Sequence, residues 1–410
     1  MRTLIRNLVR LLSGLRTVWL ILGVTLLLLA LMEGSLRLAW RAKRAGDRAE
    51  MASRAGFRGA EWASDYVDEL YLDVRADWWP YVHWRGVPHT GRYINISADG
   101  LRRTLQNKGP QSSATPPAPK PKRSIWVFGG STVWGWGARD EYTIASYLAR
   151  ELADSGHVVE VVNYGQIGYV STQEVLALSS ELRRGASPDV VVFLNGYNDL
   201  MAALQEGVAG LPQNESNRRA EFNVGLPGAL AAETRRSATM WLVKGLLRRA
   251  GAAPDARQIF GGPGQPTLET LGKDVIGVYA ENVRLVEQIR AAHGFDALYY
   301  WQPVAFGKKQ LVGDERAAAK DWPALEKLLV HVRERFATTP PLSEGSRFRD
   351  LSGLFDDSPE PIFIDTCHFS EQENVVVARE IVNDLIPILN ARGTTSKPQH
   401  AERAIASEAQ

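Results

Sequence analysis

The strongest constraint on the fold is a short apolar run that ends in two glycines and a serine. Residues 125–128 are β-branched or aromatic, and Gly129, Gly130 and Ser131 follow at once. A buried parallel strand has this composition, and the residue after its carboxyl end lies at the edge of the sheet where ligands bind. Glycines there let the backbone turn sharply and let a substrate carbonyl approach the main chain. Ser131 is therefore a candidate nucleophile, although an ordinary strand-to-helix turn has the same pattern.

From residue 123 onward, short apolar runs alternate with longer segments of helical period. We predict strands at 125–128, 158–163, 190–195, 297–301 and 362–364. We predict helices near 142–154, 172–184, 268–292, 322–336 and 371–390. This alternation predicts an α/β fold in three layers, with helices on both faces of a parallel sheet.

Four short patterns lie at the carboxyl ends of predicted strands or close to them. They are Gly129-Gly130-Ser131-Thr132, Asn163-Tyr164-Gly165-Gln166-Ile167-Gly168, Asn195-Gly196-Tyr197-Asn198-Asp199 and Asp365-Thr366-Cys367-His368. Together they contain a hydroxyl, backbone and amide donors and an acid–base pair, which are the parts of an acyl-transfer site. In this order they resemble the SGNH (GDSL-like) hydrolase superfamily, over residues 123–392. The resemblance implies a flavodoxin-like fold with a five-stranded parallel sheet.

The resemblance also implies a role for each residue of the triad. Ser131 would attack an ester carbonyl, His368 would remove the serine proton, and Asp365 would orient the imidazole and stabilise its charged form. Two residues three apart in a tight turn can project to the same side, as Asp365 and His368 require. Taken singly, each residue has an ordinary structural explanation as a cap, a turn residue or a surface histidine. Their joint occurrence favours the site.

For the oxyanion, the resemblance implies the backbone N–H groups of Ser131 and Gly168 and the side-chain amide of Asn198. Gly168 is preferred to Gly165 because the family's glycine lies five residues after the asparagine that ends the strand. The first pattern departs from the family, since Gly130 stands where an aspartate is usual.

The sequence implies no metal, no cofactor and no nucleic-acid partner. Cys367 is the single cysteine, which excludes an intramolecular disulfide and a CxxC metal site, and the seven histidines include no pair at helical ligand spacing. A net charge of +2 is too small for whole-surface attraction to nucleic acid. Cys367 lies beside the base in sequence rather than after a strand, so we interpret it as a small packing residue.

The N-terminal region predicts a membrane anchor. The 20 residues between Arg16 and Arg37 contain only Glu33 as an ionised group. At about 1.5 Å per residue they span roughly 30 Å, enough to cross a bilayer. We predict a retained single-pass helix at 17–40 behind a basic tail at 1–16, rather than a signal peptide, because no small-x-small cleavage site follows the apolar run. Basic residues on both sides leave the orientation open, and the resemblance implies an extracytoplasmic, periplasmic catalytic domain.

Two segments separate the anchor from the predicted hydrolase domain at 123–392. The accessory segment, residues 41–106, is rich in tyrosine and tryptophan and contains an Asp99-Gly100 turn between two predicted short strands. Its aromatic side chains either stack on sugar rings or pack at an interface, as a collar docked on the main domain. Residues 107–122 are rich in proline, serine and lysine, which predicts an extended linker.

Two further stretches depart from the strand–helix alternation. The interval 201–266 is unusually long and includes an apolar and then basic stretch at 240–249. This stretch is interpreted as a cap over a pocket, a membrane contact or a plain surface helix. Residues 393–410 form a polar tail.

The leading hypothesis is a membrane-anchored serine esterase that removes an O-acyl group, acetyl being one candidate, from a glycan or cell-envelope polymer. Trp134 and Trp136 follow the nucleophile closely and either face a sugar or pack under the accessory segment. An O-acyltransferase with the same triad and a non-catalytic envelope scaffold are the alternatives. The acyl group, the acceptor and the oligomeric state are not determined by the sequence.

Overall fold

The computed structural model of this chain describes residues 2–106, 123–223, 238–249 and 266–392. The strands, numbered along the chain, are β1 (Ala76–Trp79), β2 (His83–Gly86), β3 (His89–Thr90), β4 (Asn95–Ile96), β5 (Arg123–Gly129), β6 (Val159–Asn163), β7 (Val190–Asn195), β8 (Asp296–Trp301) and β9 (Phe348–Asp350). The helices are α1 (Arg2–Ala52), α2 (Ala63–Leu72), α3 (Ser131–Trp134), α4 (Ile144–Asp154), α5 (Ser171–Arg183), α6 (Tyr197–Glu206), α7 (Glu215–Asn223), α8 (Ala238–Arg249), α9 (Leu268–His293), α10 (Asp314–Lys320), α11 (Pro323–Arg333) and α12 (Glu371–Arg392).

Strands β5 to β9 form the central sheet in the order β6–β5–β7–β8–β9, and every neighbouring pair is parallel. This is the strand order of flavodoxin-like doubly wound sheets. The predicted α/β fold with a five-stranded parallel sheet is therefore confirmed. Four of the predicted strands and all five predicted helices coincide with observed elements.

The fifth predicted strand, at residues 362–364, was wrong. In that stretch Phe363 makes only an isolated antiparallel bridge with Phe369. The fifth strand is β9, which pairs with the end of β8. β9 is a three-residue edge strand with the sequence Phe-Arg-Asp, so it lacks the apolar run by which buried strands are recognised. The apolar run at 362–364 instead belongs to a buried turn.

The two faces of the sheet are covered by separate apolar cores. Along β5, Trp126 and Phe128 face one core and Ile125 and Val127 face the other, as alternation in a strand requires. Helices α5, α6, α9 and α11 supply the first core, and α4 and α12 supply the second. All four of these β5 side chains are at least 97% buried, so the strand that carries Ser131 is held rigidly from both sides.

The N-terminal helix α1 is continuous and includes the residues predicted as a basic tail. Within it, Gly14–Ala52 is long and apolar enough to cross a membrane by length and composition, and none of its apolar window is buried against the described chain. Helix α8, which lies in the long interval 201–266, begins against α1. The Glu33 carboxylate accepts hydrogen bonds from the N–H groups of Ala238 (3.0 Å) and Thr239 (3.1 Å). A carboxylate at a helix N-terminus satisfies donors that have no partner within the helix.

The accessory segment packs directly on the part of the chain that forms the central sheet. Tyr66 and Ile94 share an apolar cluster with Trp134 and Trp136, which follow Ser131 closely in the chain. The predicted turn at Asp99-Gly100 is present, but across it the strands meet only in a single bridge between Ile96 and Arg102. Residue Asn95, in β4, pairs instead with Thr90 of β3.

Several predictions fall outside the described residues. The predicted linker 107–122 and the polar tail 393–410 lie there, as do 224–237 and 250–265 of the predicted insertion. For these the sequence-based expectations stay predictions.

Candidate active site

The structure brings Ser131, His368 and Asp365 into one hydrogen-bonded chain. The Nε2 atom of His368 lies 2.6 Å from the Ser131 Oγ, and its Nδ1 atom lies 2.7 Å from the Asp365 Oδ2. Ser131 and His368 are 237 positions apart in the chain, so only the tertiary fold brings them together. An imidazole placed between a hydroxyl and a carboxylate can take the hydroxyl proton while the carboxylate stabilises the resulting charge.

Close backbone packing puts Ser131 at the end of β5. A Cβ atom at Gly129 would lie 2.3 Å from the Leu194 carbonyl oxygen, so only glycine fits beside β7. A Cβ atom at Gly130 would lie 2.3 Å from the Asn198 Nδ2. The departure from the family aspartate thus has a local effect: with no side chain at position 130, the Asn198 amide comes close to the backbone just before the serine.

A tight turn presents Asp365 and His368 on the same side. The Asp365 Oδ1 accepts hydrogen bonds from the backbone N–H groups of Cys367 and His368, both at 2.9 Å. The turn is closed by the Ile364 N–H, which donates to the His368 carbonyl at 2.7 Å. Burial alone would raise the pKa of Asp365, but the His368 charge, its hydrogen bond and these backbone donors outweigh burial, so the pKa is lowered. Asp365 is therefore ionised at neutral pH.

The turn that carries His368 is also held from the accessory segment and its neighbours. The Arg54 guanidinium donates to the Ile364 carbonyl at 3.0 Å. The Trp136 indole stacks on the His368 ring, with centroids 4.3 Å apart and planes at 27°. Tyr71 of α2 makes an edge contact with that indole at 6.5 Å. No sequence signal separated these contacts from ordinary packing.

Both tryptophans that follow the nucleophile are buried under the accessory segment. Trp134 is 1% exposed and Trp136 is 8% exposed, so neither indole presents a face to a sugar. Tyr66 holds the loop around Trp136 in place. Its hydroxyl donates to the Gly135 carbonyl and accepts from the Gly137 N–H. Of the two interpretations of these tryptophans, packing describes the structure.

Each of the predicted oxyanion donors has a hydrogen that no described group accepts. The described chain offers no acceptor to the N–H groups of Ser131 and Gly168. The Gly165 N–H, in contrast, donates to the Asn163 Oδ1 at 2.9 Å. The Asn198 Nδ2 donates one hydrogen to the Tyr169 carbonyl at 2.8 Å, which fixes the amide and leaves its second hydrogen available.

A buried polar network lies behind Asn198. The Asp199 carboxylate accepts from the hydroxyl (2.5 Å) and the backbone N–H (3.1 Å) of Ser171, at the start of α5. Burial raises the pKa of Asp199 to about 6, against the lowering effect of these bonds. Burial and then the Asp199 charge raise the pKa of Glu174 well above its ordinary value. Asp199 directly follows the predicted donor in sequence, which was the only available signal for this network.

Cys367 is buried between the triad acid and base, and burial raises the pKa of its thiol well above the ordinary value. It therefore remains a neutral thiol, in keeping with a packing role rather than a nucleophilic one. Asp365, Cys367 and His368 offer ligand atoms within 4.8 Å of one another. A metal there would need the thiolate and would compete with the hydrogen bonds of His368 to Ser131 and Asp365.

Comparison with known proteins gives one family match. The model described as "GDSL-like Lipase/Acylhydrolase family" matches residues 127–337, which include Ser131, Gly168 and Asn198. No curated protein matches the sequence significantly.

Solved structures with similar folds include esterases and lipolytic proteins. One is an acetyl xylan esterase, AlAXEase, with 14% identity over 64% of this chain and 99% of that one, at a TM-score of 0.36. Another is a lipase/acylhydrolase from Enterococcus faecalis, with 17% identity over 64% and 95% and a TM-score of 0.36. A third is a G-D-S-L family lipolytic protein from Veillonella parvula, with 12% identity over 64% and 97% and a TM-score of 0.36.

Proposed function

Because this chain belongs to the GDSL-like lipase/acylhydrolase family and is a hydrolase that acts on ester bonds, we propose that it is a membrane-anchored serine esterase. Its substrate is an O-acyl ester, acetyl being one candidate, on a glycan or another cell-envelope molecule. The observation that carries the proposal is the position of His368, which bridges the Ser131 hydroxyl and the Asp365 carboxylate at 2.6 and 2.7 Å.

In the first half of the proposed reaction, Ser131 Oγ attacks the ester carbonyl carbon while His368 Nε2 takes the hydroxyl proton. The negative charge that develops on the carbonyl oxygen is stabilised by the Ser131 and Gly168 N–H groups and the Asn198 amide. Asp365 stabilises the imidazolium. The ester C–O bond then breaks, and the leaving alcohol takes the proton from His368.

In the second half, water repeats the sequence on the acyl-enzyme. His368 removes a proton from water, the hydroxide attacks the acyl carbon, and the carboxylic acid is released as Ser131 regains its proton. An O-acyltransferase differs only in that an acceptor hydroxyl takes the place of this water. Hydrolase and transferase therefore differ in which acceptor reaches the acyl-enzyme.

The anchor and the location are part of the proposal. Residues 17–40 of α1 cross the bilayer once, and the catalytic domain lies on the extracytoplasmic, periplasmic side. The apolar surface of α1 supports the anchor, since none of that window is covered by the described chain. Protease treatment of intact spheroplasts is expected to digest the catalytic domain; protection of the domain in spheroplasts, with digestion after lysis, would reverse the orientation.

The test of the chemistry is labelling of the full chain by a fluorophosphonate, together with hydrolysis of nitrophenyl esters of graded length and of acetylated glycans. The wild type is expected to be labelled and active, and Ser131→Ala to lose both. Ser124→Ala, at the start of the same strand, is the matched control and retains both. A folded wild type without labelling favours the scaffold alternative. Acyl transfer to an added sugar, in preference to water, identifies a transferase.

A further inference from the structure

A cavity of about 620 Å³ lies between the end of α1 and helix α2, outside the triad. Its lining combines three arginines of α1 with aromatic side chains from both helices. The lining includes Trp40, Arg41, Arg44, Asp47, Arg48 and Tyr71. We refer to this space as the arginine cavity. The three arginines are spaced i, i+3 and i+7, so they lie on one face of the helix.

The arginine cavity carries uncompensated positive charge. Arg48 is paired with Asp68, and Asp47 is paired with Lys43 at 2.8 Å. In the part of the chain that the structure describes, Arg41 and Arg44 have no carboxylate within ion-pair distance. The Arg44 guanidinium lies 4.5 Å from the centre of the Trp40 ring, which holds it in place without neutralising it. Guanidinium groups arranged in this way favour a phosphate, which they can bind through two parallel hydrogen bonds.

The cavity is connected to the triad through two aromatic rings. Tyr71 lines the cavity, and its ring makes an edge contact with the Trp136 indole, with centroids 6.5 Å apart. That indole stacks on the His368 ring, with centroids 4.3 Å apart. The arginine cavity and the acid–base pair therefore lie on opposite sides of the same pair of contacting rings. This proximity connects the cavity to the reaction rather than to a remote surface.

The order of features along α1 limits which part of a lipid can reach Ser131. The apolar segment ends at Arg37, the arginine cavity follows it, and Arg54, just after α1, contacts the turn that carries His368. Arg41 lies roughly 6 Å beyond Arg37 along the helix axis, at the level of lipid headgroups. A lipid phosphate in the cavity thus has its apolar chain on the side of the membrane anchor and its outer polar substituent on the side of Ser131.

We propose that the arginine cavity binds the phosphate of a lipid-linked saccharide and that the O-acyl ester cleaved by Ser131 is carried on that saccharide. This inference rests on the proposed function and narrows its substrate class. In the reaction, the bond between the acyl carbon and the sugar oxygen breaks, the sugar hydroxyl leaves with the proton from His368, and water releases the acid from Ser131. The phosphate takes no part in bond changes and acts only to hold the substrate.

The test uses the full chain in nanodiscs made of ether-linked phosphatidylcholine, which has no ester to cleave. Three substrates are compared: an O-acetyl sugar joined through a phosphodiester to a short polyprenol, the same O-acetyl sugar 1-phosphate without lipid, and its methyl glycoside. We expect KM to be lowest for the lipid-linked sugar, by about tenfold or more relative to the methyl glycoside. Equal KM values for the lipid-linked and lipid-free phosphates would show that the lipid is not recognised and would overturn that part of the inference. Equal KM values for the sugar phosphates and the methyl glycoside would show that the cavity binds no phosphate and would overturn the inference as a whole.

Single variants locate the site. Arg41→Gln and Arg44→Gln are each expected to raise KM for the lipid-linked sugar about tenfold, with nitrophenyl acetate hydrolysis unchanged. Arg75→Gln removes the same charge from an exposed position that does not line the cavity and has no ion pair in the part of the chain that the structure describes, so it is the control and leaves KM unchanged. An equal effect of Arg75→Gln would show general surface attraction and overturn the inference.

Binding without turnover separates this inference from the proposed chemistry. Native mass spectrometry of Ser131→Ala is expected to show the lipid-linked sugar bound, and Ser131→Ala/Arg41→Gln is expected to lose most of that binding. If the wild type binds this ligand but hydrolyses no ester, the proposed function fails and the cavity remains. If nitrophenyl esters are hydrolysed but the lipid-linked sugar neither binds nor reacts preferentially, the inference fails alone.

Discussion

The two halves of the site are held in different ways. The sheet half, which contains Ser131, Gly168 and Asn198, follows the carboxyl ends of β5, β6 and β7, whose side chains pack into the cores on both faces of the sheet. The loop half, Asp365 and His368, lies in a turn that is held by the accessory segment, through Arg54, and by the Trp136 indole. The difference teaches that the accessory segment is a structural part of the site, although the sheet alone presents the serine.

One carboxylate from each half differs in the same way: Asp365 is half-buried and Asp199 is buried. Asp365 faces an imidazole and its pKa is lowered, whereas Asp199 accepts hydrogen bonds from Ser171, lies near the Glu174 carboxylate and has its pKa raised by burial to about 6. One carboxylate stays charged at neutral pH, and the other takes up a proton near pH 6. The predictions below test whether the two halves behave as distinct units.

The largest effect is expected in the loop half. His368→Ala is predicted to lower kcat on a soluble nitrophenyl ester by roughly 10⁴ to 10⁶, because the serine loses its base. Cys367→Ala, one residue away and equally enclosed by the turn, is the control and is expected to keep kcat within about threefold. Steady-state kinetics check both variants. A large loss in Cys367→Ala would show that the turn, rather than the imidazole, is sensitive to change.

Arg102 tests whether the accessory segment and the hydrolase domain unfold together. Its side chain is fully buried, pairs with Asp140 at 2.9 Å and donates to the carbonyls of Gly135 and Ala138. Arg102→Met leaves Asp140 buried without its partner, so we expect the free energy of unfolding to fall by about 3 to 5 kcal/mol. Urea unfolding in detergent, followed by tryptophan fluorescence, is the measurement.

The neighbouring Arg103 is exposed, so Arg103→Met is the matched control and is expected to change stability by less than about 0.5 kcal/mol. If Arg102→Met unfolds in a single transition at a lower urea concentration than the wild type, the accessory segment and the hydrolase domain unfold as one cooperative unit. Two separate transitions would show that the accessory segment is an independent part, against the comparison drawn above.

Asn198 tests the sheet half. Asn198→Ala removes an amide that is fixed by Tyr169 and lies against Gly130, and kcat is expected to fall by about 10² to 10³ with little change in KM. Ester hydrolysis by purified variant and wild type gives the comparison. A loss of less than about fivefold would remove Asn198 from the oxyanion donors and leave that role to the two backbone N–H groups.

The smallest effect is a difference in pH dependence. Asp199 has a pKa of about 6 in the folded chain, against 3.8 ordinarily, so between about pH 4 and 6 the folded state binds more protons than the unfolded state. The free energy of unfolding therefore falls as pH rises through this window, by about 1 to 3 kcal/mol at roughly 1.4 kcal/mol per pKa unit. Asp365 acts in the opposite sense: its lowered pKa stabilises the fold above about pH 4, and this contribution is lost at lower pH.

Unfolding of Asp199→Asn and Asp365→Asn at pH 4.5, 5.5 and 7 separates the two contributions. Asp199→Asn is expected to lose the decrease between pH 4.5 and 7, whereas Asp365→Asn is expected to keep it. Parallel curves for the wild type and Asp199→Asn would contradict the burial-driven shift.

The sequence predicted the sheet well because its central strands are buried on both faces. Runs such as 190–195 are continuous and apolar, which is how strands covered by helices read. The edge strand β9 was missed because two of its three residues are charged, and Arg349 is held there by ion pairs with Glu380 and Asp384 of α12 that the sequence pattern does not show. The run at 362–364 was assigned as a strand because burial, rather than strand pairing, determines its composition.

The family resemblance predicted which residues would meet, but not what holds them. The triad residues carry chemical signatures, and they do lie together in the structure. Arg54 and Trp136 carry no such signature, since an arginine after a helix and a buried tryptophan are common in any fold. Their role depends on contacts between segments hundreds of residues apart, as in the bond from Arg54 to the Ile364 carbonyl.

The unbroken course of α1 has a mechanical consequence. Its last residues, Met51 and Ala52, pack against the apolar cluster of the accessory segment. The helix is therefore joined to the accessory segment by packed side chains rather than by a flexible linker. From Arg37 to Ala52 the helix rises roughly 22 Å. If α1 is the proposed anchor, this rigid helical segment holds the candidate active site at a fixed height above the bilayer. The site then reaches only substrates at that height. Inserting whole helical turns between Arg37 and Ala52 would raise the site above the bilayer and change which substrates it can reach.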